Sequence, residues 1–350
     1  MADDLSYPWF RRGLPGTGTG PVSAEKVPTL GRLKAEDPTG YEADPDLSHA
    51  VNVALALGMP LLLTGEPGTG KTRLADAVAH DLSCPLHRFD TKSTSQARDL
   101  FYTYDALTAF KMREATDARE FITYQALGRA ILEAFPSTDP RLEPLLPPQV
   151  SGGYRHPGAP RRSVVLIDEI DKAPRDFPND LLNEIDRLVF SVAELRGAGS
   201  PGADGGEGVA AQFRPIVILT SNSEKGLPDA FLRRCIYYDI PFPDRERMAQ
   251  IVANRVGEIE AGHPLLTDAL DIFYRLRSSE VKLGLRKKPS TAELINWLQI
   301  LRMRGVRPDQ SLRGLPDLVR ETLSTLVKTT QDRKDARDEI DRWLVGRDKA

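Results

Sequence analysis

Cysteine is scarce in this chain. Only two occur in 350 residues, Cys84 and Cys235, too few for a disulfide framework and without partners at the spacing of a metal site. We therefore expect two reduced thiols that pack against other side chains. Net charge is also small, -3 at pH 7. Because a protein that mainly grips nucleic acid needs a strongly basic surface, this balance argues against that class.

Long apolar runs are absent as well. No stretch approaches the ~20 apolar residues that span a bilayer, and the opening MADDLSYPWF lacks the basic segment and apolar core of a secretion signal. We expect a cytoplasmic protein that does not bind membranes. With 40% hydrophobic and 28% charged residues, the composition is that of an ordinary globular protein long enough for two domains.

The sequence pattern divides the chain into three parts. Residues 1–40 are rich in glycine and proline and predict an irregular N-terminal arm. Residues 41–243 alternate helix-like segments with strand-like ones such as SVVLIDEID, which predicts an α/β domain with a mostly parallel sheet covered by helices. Residues 244–350 are helix-patterned and predict a helical domain. Within it, Ser290 and Glu293 form a capping box before an apolar helix face.

A helical and loop insertion is expected at about residues 105–161. It contains five apolar residues at roughly helical spacing: Phe121, Tyr124, Leu127, Ile131 and Phe135. Just before it, side chains such as Phe101 and Tyr102 could either touch a partner or pack under the insertion. The sequence leaves both alternatives open.

The strongest motif is GEPGTGKT, which follows an apolar strand and opens a helix-patterned segment. That context is typical of the G-x-x-x-x-G-K-[ST] loop, whose glycines let the backbone wrap around phosphate oxygens. Lys71 is expected to reach the β- and γ-phosphates of ATP, and Thr72 to ligate Mg²⁺. The expected nucleotide-binding residues are Gly65, Glu66, Pro67, Gly68, Thr69, Gly70, Lys71, Thr72 and Arg73.

Polar residues end two further strands. SVVLIDEID places Asp168 where a parallel strand would bring it beside the loop to hold Mg²⁺, and Glu169 where it could activate a water for attack on phosphorus. Asp171 is expected in an exposed acidic turn. Asn222, at the end of the strand beginning at Ile216, would stand near the same water, although an asparagine that caps a turn is a common alternative.

Two adjacent arginines follow in PDAFLRRC. An arginine at the rim of such a domain is placed to enter a neighbouring subunit's site, where its guanidinium would neutralise charge on the γ-phosphoryl group. The alternative is a pair of solvated surface side chains, Arg233 and Arg234.

The chain resembles the AAA+ ATPases in the order and spacing of four motifs, GEPGTGKT, LIDEID, TSN and LPDAFLRRC. The particular residues in these motifs resemble those of the MoxR branch. The resemblance implies a nucleotide domain with a helical lid, a ring of usually six subunits with ATP at the interfaces, and a protein client, frequently one with a von Willebrand A domain. It matches Lys71 and Thr72 to Walker A, Asp168 and Glu169 to Walker B, Asn222 to sensor 1, and Arg234, supported by Arg233, to the arginine finger.

One position departs from that family. The second sensor is usually an arginine at the start of a lid helix, but here that position holds Ala292. The role is therefore either absent or moved to the upstream cluster of Arg286, Lys287 and Lys288.

The function expected from these motifs is Mg²⁺-dependent ATP hydrolysis that remodels, assembles or activates a partner protein. Three alternatives stay open. They are a monomeric kinase of the phosphate-loop class, a nucleotide-gated scaffold with little turnover, and a nucleic-acid motor, which the mildly acidic chain disfavours.

Overall fold

The chain forms two compact units, one from Tyr41 to Phe242 and another that continues from Pro243. Apart from the side chains of residues 182 and 183, the computed structural model describes residues 40–112, 117–147, 154–195, 198–223, 226–278 and 285–346. The predicted arm therefore lies outside the described residues, except for Gly40. Within these ranges, every helix is too short or too polar to cross a bilayer.

The first unit is built on strands. They are β1 (Leu61–Thr64), β2 (Leu86–Asp90), β3 (Tyr102–Tyr104), β4 (Ile122–Tyr124), β5 (Val164–Asp168), β6 (Ser191–Val192), β7 (Ala198–Gly199), β8 (Ile216–Thr220) and β9 (Ile236–Asp239). Five of them form a parallel sheet in the order β2-β5-β8-β1-β9. The predicted α/β class with a parallel central sheet is confirmed.

Helices cover both faces of this sheet. The α-helices of this unit are α1 (Pro45–Leu57), α2 (Lys71–Asp81), α3 (Ala106–Lys111), α4 (Ala126–Leu132), α5 (Phe177–Arg187) and α6 (Asp229–Leu232). All except α3, which has no buried residue, contribute to the cores against the sheet. Successive side chains of a strand point to opposite faces, so Leu62 joins the core under α4 and α5 while Leu61 and Leu63 join the core under α1 and α2. Because both faces are buried, the three central strands β1, β5 and β8 are apolar except at their last residues, whereas the edge strands β2 and β9 carry exposed polar residues.

The register of the sheet aligns the strand ends. Leu63 of β1 lies opposite Thr220 of β8, and Ile167 of β5 lies opposite Leu219. The residues that follow these strands therefore emerge at the same edge, which is where ligands bind in open parallel sheets.

The predicted insertion contains less helix than its apolar spacing indicates. Helical spacing holds only over α4, while β4 pairs antiparallel with β3, Tyr102 opposite Tyr124. Gly128 permits the approach, because a Cβ there would lie 2.1 Å from the carbonyl oxygen of Phe101. Both Phe101 and Tyr102 are buried, so these aromatics pack within the unit.

The second unit is helical in its described residues. Its α-helices are α7 (Arg245–Val256), α8 (Pro264–Arg277), α9 (Thr291–Met303), α10 (Pro316–Thr322) and α11 (Thr330–Leu344). The predicted capping box of α9 is confirmed, since the Ser290 N–H donates to Glu293 Oε2 at 2.7 Å and the Ser290 side chain accepts in return. Trp297, fully buried on this helix, donates its indole N–H to Thr322 Oγ1 at 2.8 Å.

A buried carboxylate joins the edge strand to the insertion. Glu133, 3% exposed, lies 3.1 Å from His87 Nε2 on β2 and accepts from Arg161 Nε at 2.9 Å. Burial alone would raise its pKa, but the hydrogen bonds from His87 and Arg161 outweigh that effect and lower the pKa to about 2. The charged form is therefore favoured in the folded protein.

We expect Glu133→Gln to lower the free energy of unfolding by at most about 3 kcal/mol at pH 7. Because the folded pKa lies below the ordinary value of 4.5, the difference from wild type should be complete above that value and shrink as pH falls toward 2. Urea unfolding of both proteins between pH 7 and pH 3 measures it. Glu143→Gln, at an exposed carboxylate, is the control, and a pH-independent difference would contradict the assignment.

Candidate functional site

The loop between β1 and α2 has the shape of an anion cradle. Gly65 and Gly70 have φ of 137° and 96°, in the left-handed region that favours glycine. A Cβ on Gly65 would lie 2.6 Å from the Ile240 carbonyl oxygen, and one on Gly70 would lie 3.2 Å from the Tyr41 ring. The start of α2 faces this loop, and a helix N-terminus favours a bound anion.

The side chain of Lys71 bonds to the backbone of the loop. Its side chain is nearly buried, and Nζ donates to Gly65 O at 2.7 Å, Glu66 O at 3.0 Å and Asn222 Oδ1 at 3.2 Å. Burial lowers the pKa of Lys71, and the nearby carboxylates oppose that shift. Those carboxylates, in order of effect, are Asp171, Asp168, Glu169 and Asp239.

The side-chain oxygens of Thr72 and Asp168 lie side by side at the start of α2. Thr72 Oγ1 donates to both oxygens of Asp168, at 3.1 and 3.2 Å, and Thr220 Oγ1 also donates to this carboxylate. Among the described residues, no group of three or more His, Cys, Asp or Glu side chains is placed to hold a metal ion. A pair of oxygens suits Mg²⁺, which usually takes one or two protein ligands and completes its shell with water and substrate phosphates.

Glu169 adopts an unusual backbone conformation directly after β5. Its φ is 55°, rare for a residue with a side chain, and its N–H donates to Thr220 Oγ1 at 2.8 Å. The carboxylate is 41% exposed and forms an ion pair with Lys172 in the next turn. This hydrogen-bonded pairing raises the pKa of Lys172. The Glu169 carboxylate is thus partly exposed and paired with Lys172.

Asn222 lies between a cation and a carboxylate. Its Oδ1 accepts from Lys71, while its backbone N–H and Nδ2 donate to Asp171 at 3.1 and 3.4 Å. The structure therefore brings Asn222 next to the phosphate loop, as the sequence predicts. Asp171 does lie in an exposed turn, but it also contacts Asn222, a contact that the sequence reasoning missed.

The sequence reasoning did not identify Asp239 as a residue near the phosphate loop. Asp239 ends β9 and accepts from Thr64 Oγ1 at 2.7 Å, so its charge faces the strand that leads into the phosphate loop. The available indication was an acidic residue at the end of a predicted strand, but the neighbour of that strand depends on sheet order, which the sequence did not reveal.

The two arginines lie away from this cluster within their own chain. Arg233 and Arg234 follow α6 and are exposed, and the Arg234 guanidinium lies 3.9 Å from Asp186 of α5. In the described residues, neither is bonded to Lys71 or Asp168.

The basic cluster proposed for the second sensor belongs to the other unit. The backbone N–H groups of Arg286 and Lys287 donate to the carboxylate of Asp332, at 3.0 and 3.3 Å. Their side chains and that of Lys288 are exposed. Any role at the nucleotide stays a prediction.

The comparisons with known proteins agree with this geometry. The family described as "AAA domain (dynein-related subfamily)" matches residues 60–235, which run from the residue before β1 through the two arginines. The chain belongs to this family. As an AAA domain, it has the fold of a nucleotide-binding ATPase. The search of curated proteins found no match.

Among solved structures, the chain is similar to the RuvB Holliday junction branch migration motor of Thermotoga maritima. The identity is 14%, over 80% of this chain and 74% of that chain, with a TM-score of 0.36.

We expect Gly65→Ala to weaken binding of ATP at least about 10-fold, because the new Cβ would meet a backbone carbonyl and strain the loop. Titration with a fluorescent ATP analogue measures the affinity. Gly208→Ala is the matched control, since a Cβ there meets nothing within 4 Å. Unchanged binding by Gly65→Ala would contradict the assignment of the cradle.

Proposed function

We propose that this AAA domain protein hydrolyses ATP with Mg²⁺ at the interfaces of a MoxR-like ring and uses the cycle to act on a partner protein. The observation that carries the proposal is the convergence of Lys71, the Thr72–Asp168 pair and Glu169 at one edge of the sheet. These residues come from two separate parts of the chain, the start of α2 and the end of β5, and would supply a cation, two metal ligands and a base.

Each residue has a part in the proposed reaction. Lys71 would exchange its loop carbonyls for phosphate oxygens and neutralise their charge. Thr72 and Asp168 would hold Mg²⁺, which when bound neutralises charge on the β- and γ-phosphates. Glu169 would accept the proton of the attacking water. Because its carboxylate is paired with Lys172, that ion pair has to open or shift before Glu169 can reach water.

The proposed arginine finger is Arg234, with Arg233 in support. Arg234 and its partner Asp186 are 52% and 58% exposed, and ion pairs between such exposed groups contribute little to stability. The guanidinium can therefore leave Asp186 for a phosphoryl group of a neighbouring subunit at small cost. This supports action in trans, since within the chain the Arg234 guanidinium lies beside Asp186 of α5.

The ring of six subunits, the protein client and the von Willebrand A domain partner rest on the resemblance to the MoxR branch. So does the lid function of the second unit, in which Arg286, Lys287 or Lys288 would replace the arginine missing at Ala292. A kinase of the phosphate-loop class would need an acceptor and would not need Arg234, whereas a scaffold would bind ATP without turning it over.

We expect Lys71→Ala and Arg234→Ala each to be nearly inactive alone, the second with a rate lower by ~10³ or more because the transition state loses its finger. Mixing them under conditions of subunit exchange should restore ATP turnover. A Lys71→Ala subunit would supply an intact finger to the site of its Arg234→Ala neighbour. Phosphate release measures the recovery.

The matched control mixes Lys71→Ala with Glu169→Gln. Both changes lie in the site of the subunit that binds the nucleotide, so no mixed interface contains a complete set of residues and no turnover should return. If Arg234→Ala alone keeps full activity as a monomer, the interface site is wrong and the kinase alternative gains support. If the wild type binds ATP but releases no phosphate, the scaffold alternative gains support.

A further inference from the structure

We propose that Asp171 is a positioning residue that fixes the place and orientation of Asn222 beside Lys71. This inference rests on the proposed function, because Asn222 matters only if ATP is turned over at this site. It assigns a role to a residue that is neither a Walker B residue nor a sensor in the resemblance described above.

Two hydrogen bonds from Asn222 join Asp171 to the chain that follows β8. Its Oδ1 accepts from the Asn222 backbone N–H at 3.1 Å, and its Oδ2 accepts from Asn222 Nδ2 at 3.4 Å. Ser221 Oγ lies 3.2 Å from Oδ1 and has a closer acceptor in the Ser223 carbonyl oxygen at 2.6 Å. Ser221 is fully buried, so the carboxylate lies against a packed strand end. Hydrogen bonds to a charged acceptor are stronger than those between neutral groups.

The neighbours of Asn222 fix the direction of its amide. Nδ2 faces the carboxylate of Asp171, and Oδ1 faces the ammonium of Lys71 at 3.2 Å. The reversed amide would place its NH₂ group against an ammonium and its oxygen against a carboxylate, which is unfavourable on both sides. Because Asp171 accepts hydrogen bonds from the backbone N–H and Nδ2 of Asn222, Asn222 can contact Lys71 or a phosphate while its position is maintained.

The turn that carries Asp171 also carries the proposed base. Residues Ile170–Lys172 form a 3₁₀ turn that begins at Glu169, and Lys172 at its end pairs with the Glu169 carboxylate. Asp171 therefore links the side-chain amide of Asn222 to the segment that orients Glu169. A shift of Asn222 toward a γ-phosphate would pull on this turn through the two hydrogen bonds that Asn222 donates to Asp171.

Asp171 could also act simply as a negative charge near Lys71, and a double-mutant cycle separates the two routes. ATP turnover is measured for wild type, Asp171→Ala, Asn222→Ala and the double variant. If Asp171 acts through Asn222, Asp171→Ala should lower kcat about 10-fold in the wild-type background and have little further effect once Asn222 is gone. KM should change less than kcat, because the ground-state contacts of the loop remain.

Asp176→Ala is the matched control, since this exposed aspartate of the same segment makes no side-chain capping bond and its loss should leave kcat unchanged. Asp171→Asn should recover part of the activity, because its oxygen can still accept from the Asn222 backbone. Thermal melting shows whether each variant is folded.

Equal effects of Asp171→Ala with and without Asn222 would overturn the inference and favour the charge route, and wild-type activity in Asp171→Ala would overturn it outright. In both cases wild-type turnover would leave the proposed function standing. If the wild type shows no turnover, the proposed function fails. The double-mutant cycle is then measured on a different quantity, the ratio of the affinities for ADP and for a non-hydrolysable ATP analogue. Coupling in that ratio would support the link between Asp171 and Asn222, and additivity would overturn it.

Discussion

One nearly buried ammonium, that of Lys71, organises the polar edge of the first unit. It lies among the charges of Asp171, Asp168, Glu169 and Asp239 and donates hydrogen bonds to two loop carbonyls and an amide oxygen. Removing such a cation would leave these carboxylates to repel one another in a partly buried site. The same arrangement leaves the site ready for a polyanion, because phosphate oxygens can replace the loop carbonyls around the ammonium.

The parallel sheet is what collects these groups. Strands β5, β8 and β1 are bonded side by side with their carboxyl ends aligned, so residues separated by about half of the α/β unit meet within hydrogen-bonding distance. Thr220 illustrates the result. Its hydroxyl donates to Asp168 and accepts from the Glu169 N–H, which fixes the proposed metal ligand and the proposed base relative to each other.

Sequence reasoning located the features whose physical cause is local. The glycine-rich loop between β1 and α2, the position of Asp168 and Glu169 at the end of β5, and the capping box of α9 are each contained in fewer than ten residues. It failed where partners are distant: Ile122–Tyr124 is a strand because it pairs with Tyr102–Tyr104, and Asp239 belongs to the site because β9 lies beside β1. Asp171 was placed correctly in an exposed turn, but its partner Asn222 is 51 residues away, and no local pattern reveals that contact.

We propose that each active site is completed by a second copy of the chain. The most direct test is ATP turnover per subunit measured across protein concentration, with the oligomeric state determined at each point by light scattering. We expect turnover per subunit to rise with assembly and to be close to zero in the monomer, because the monomer lacks a neighbour's arginine. Turnover per subunit that stays constant down to concentrations where only monomer is present would contradict the account.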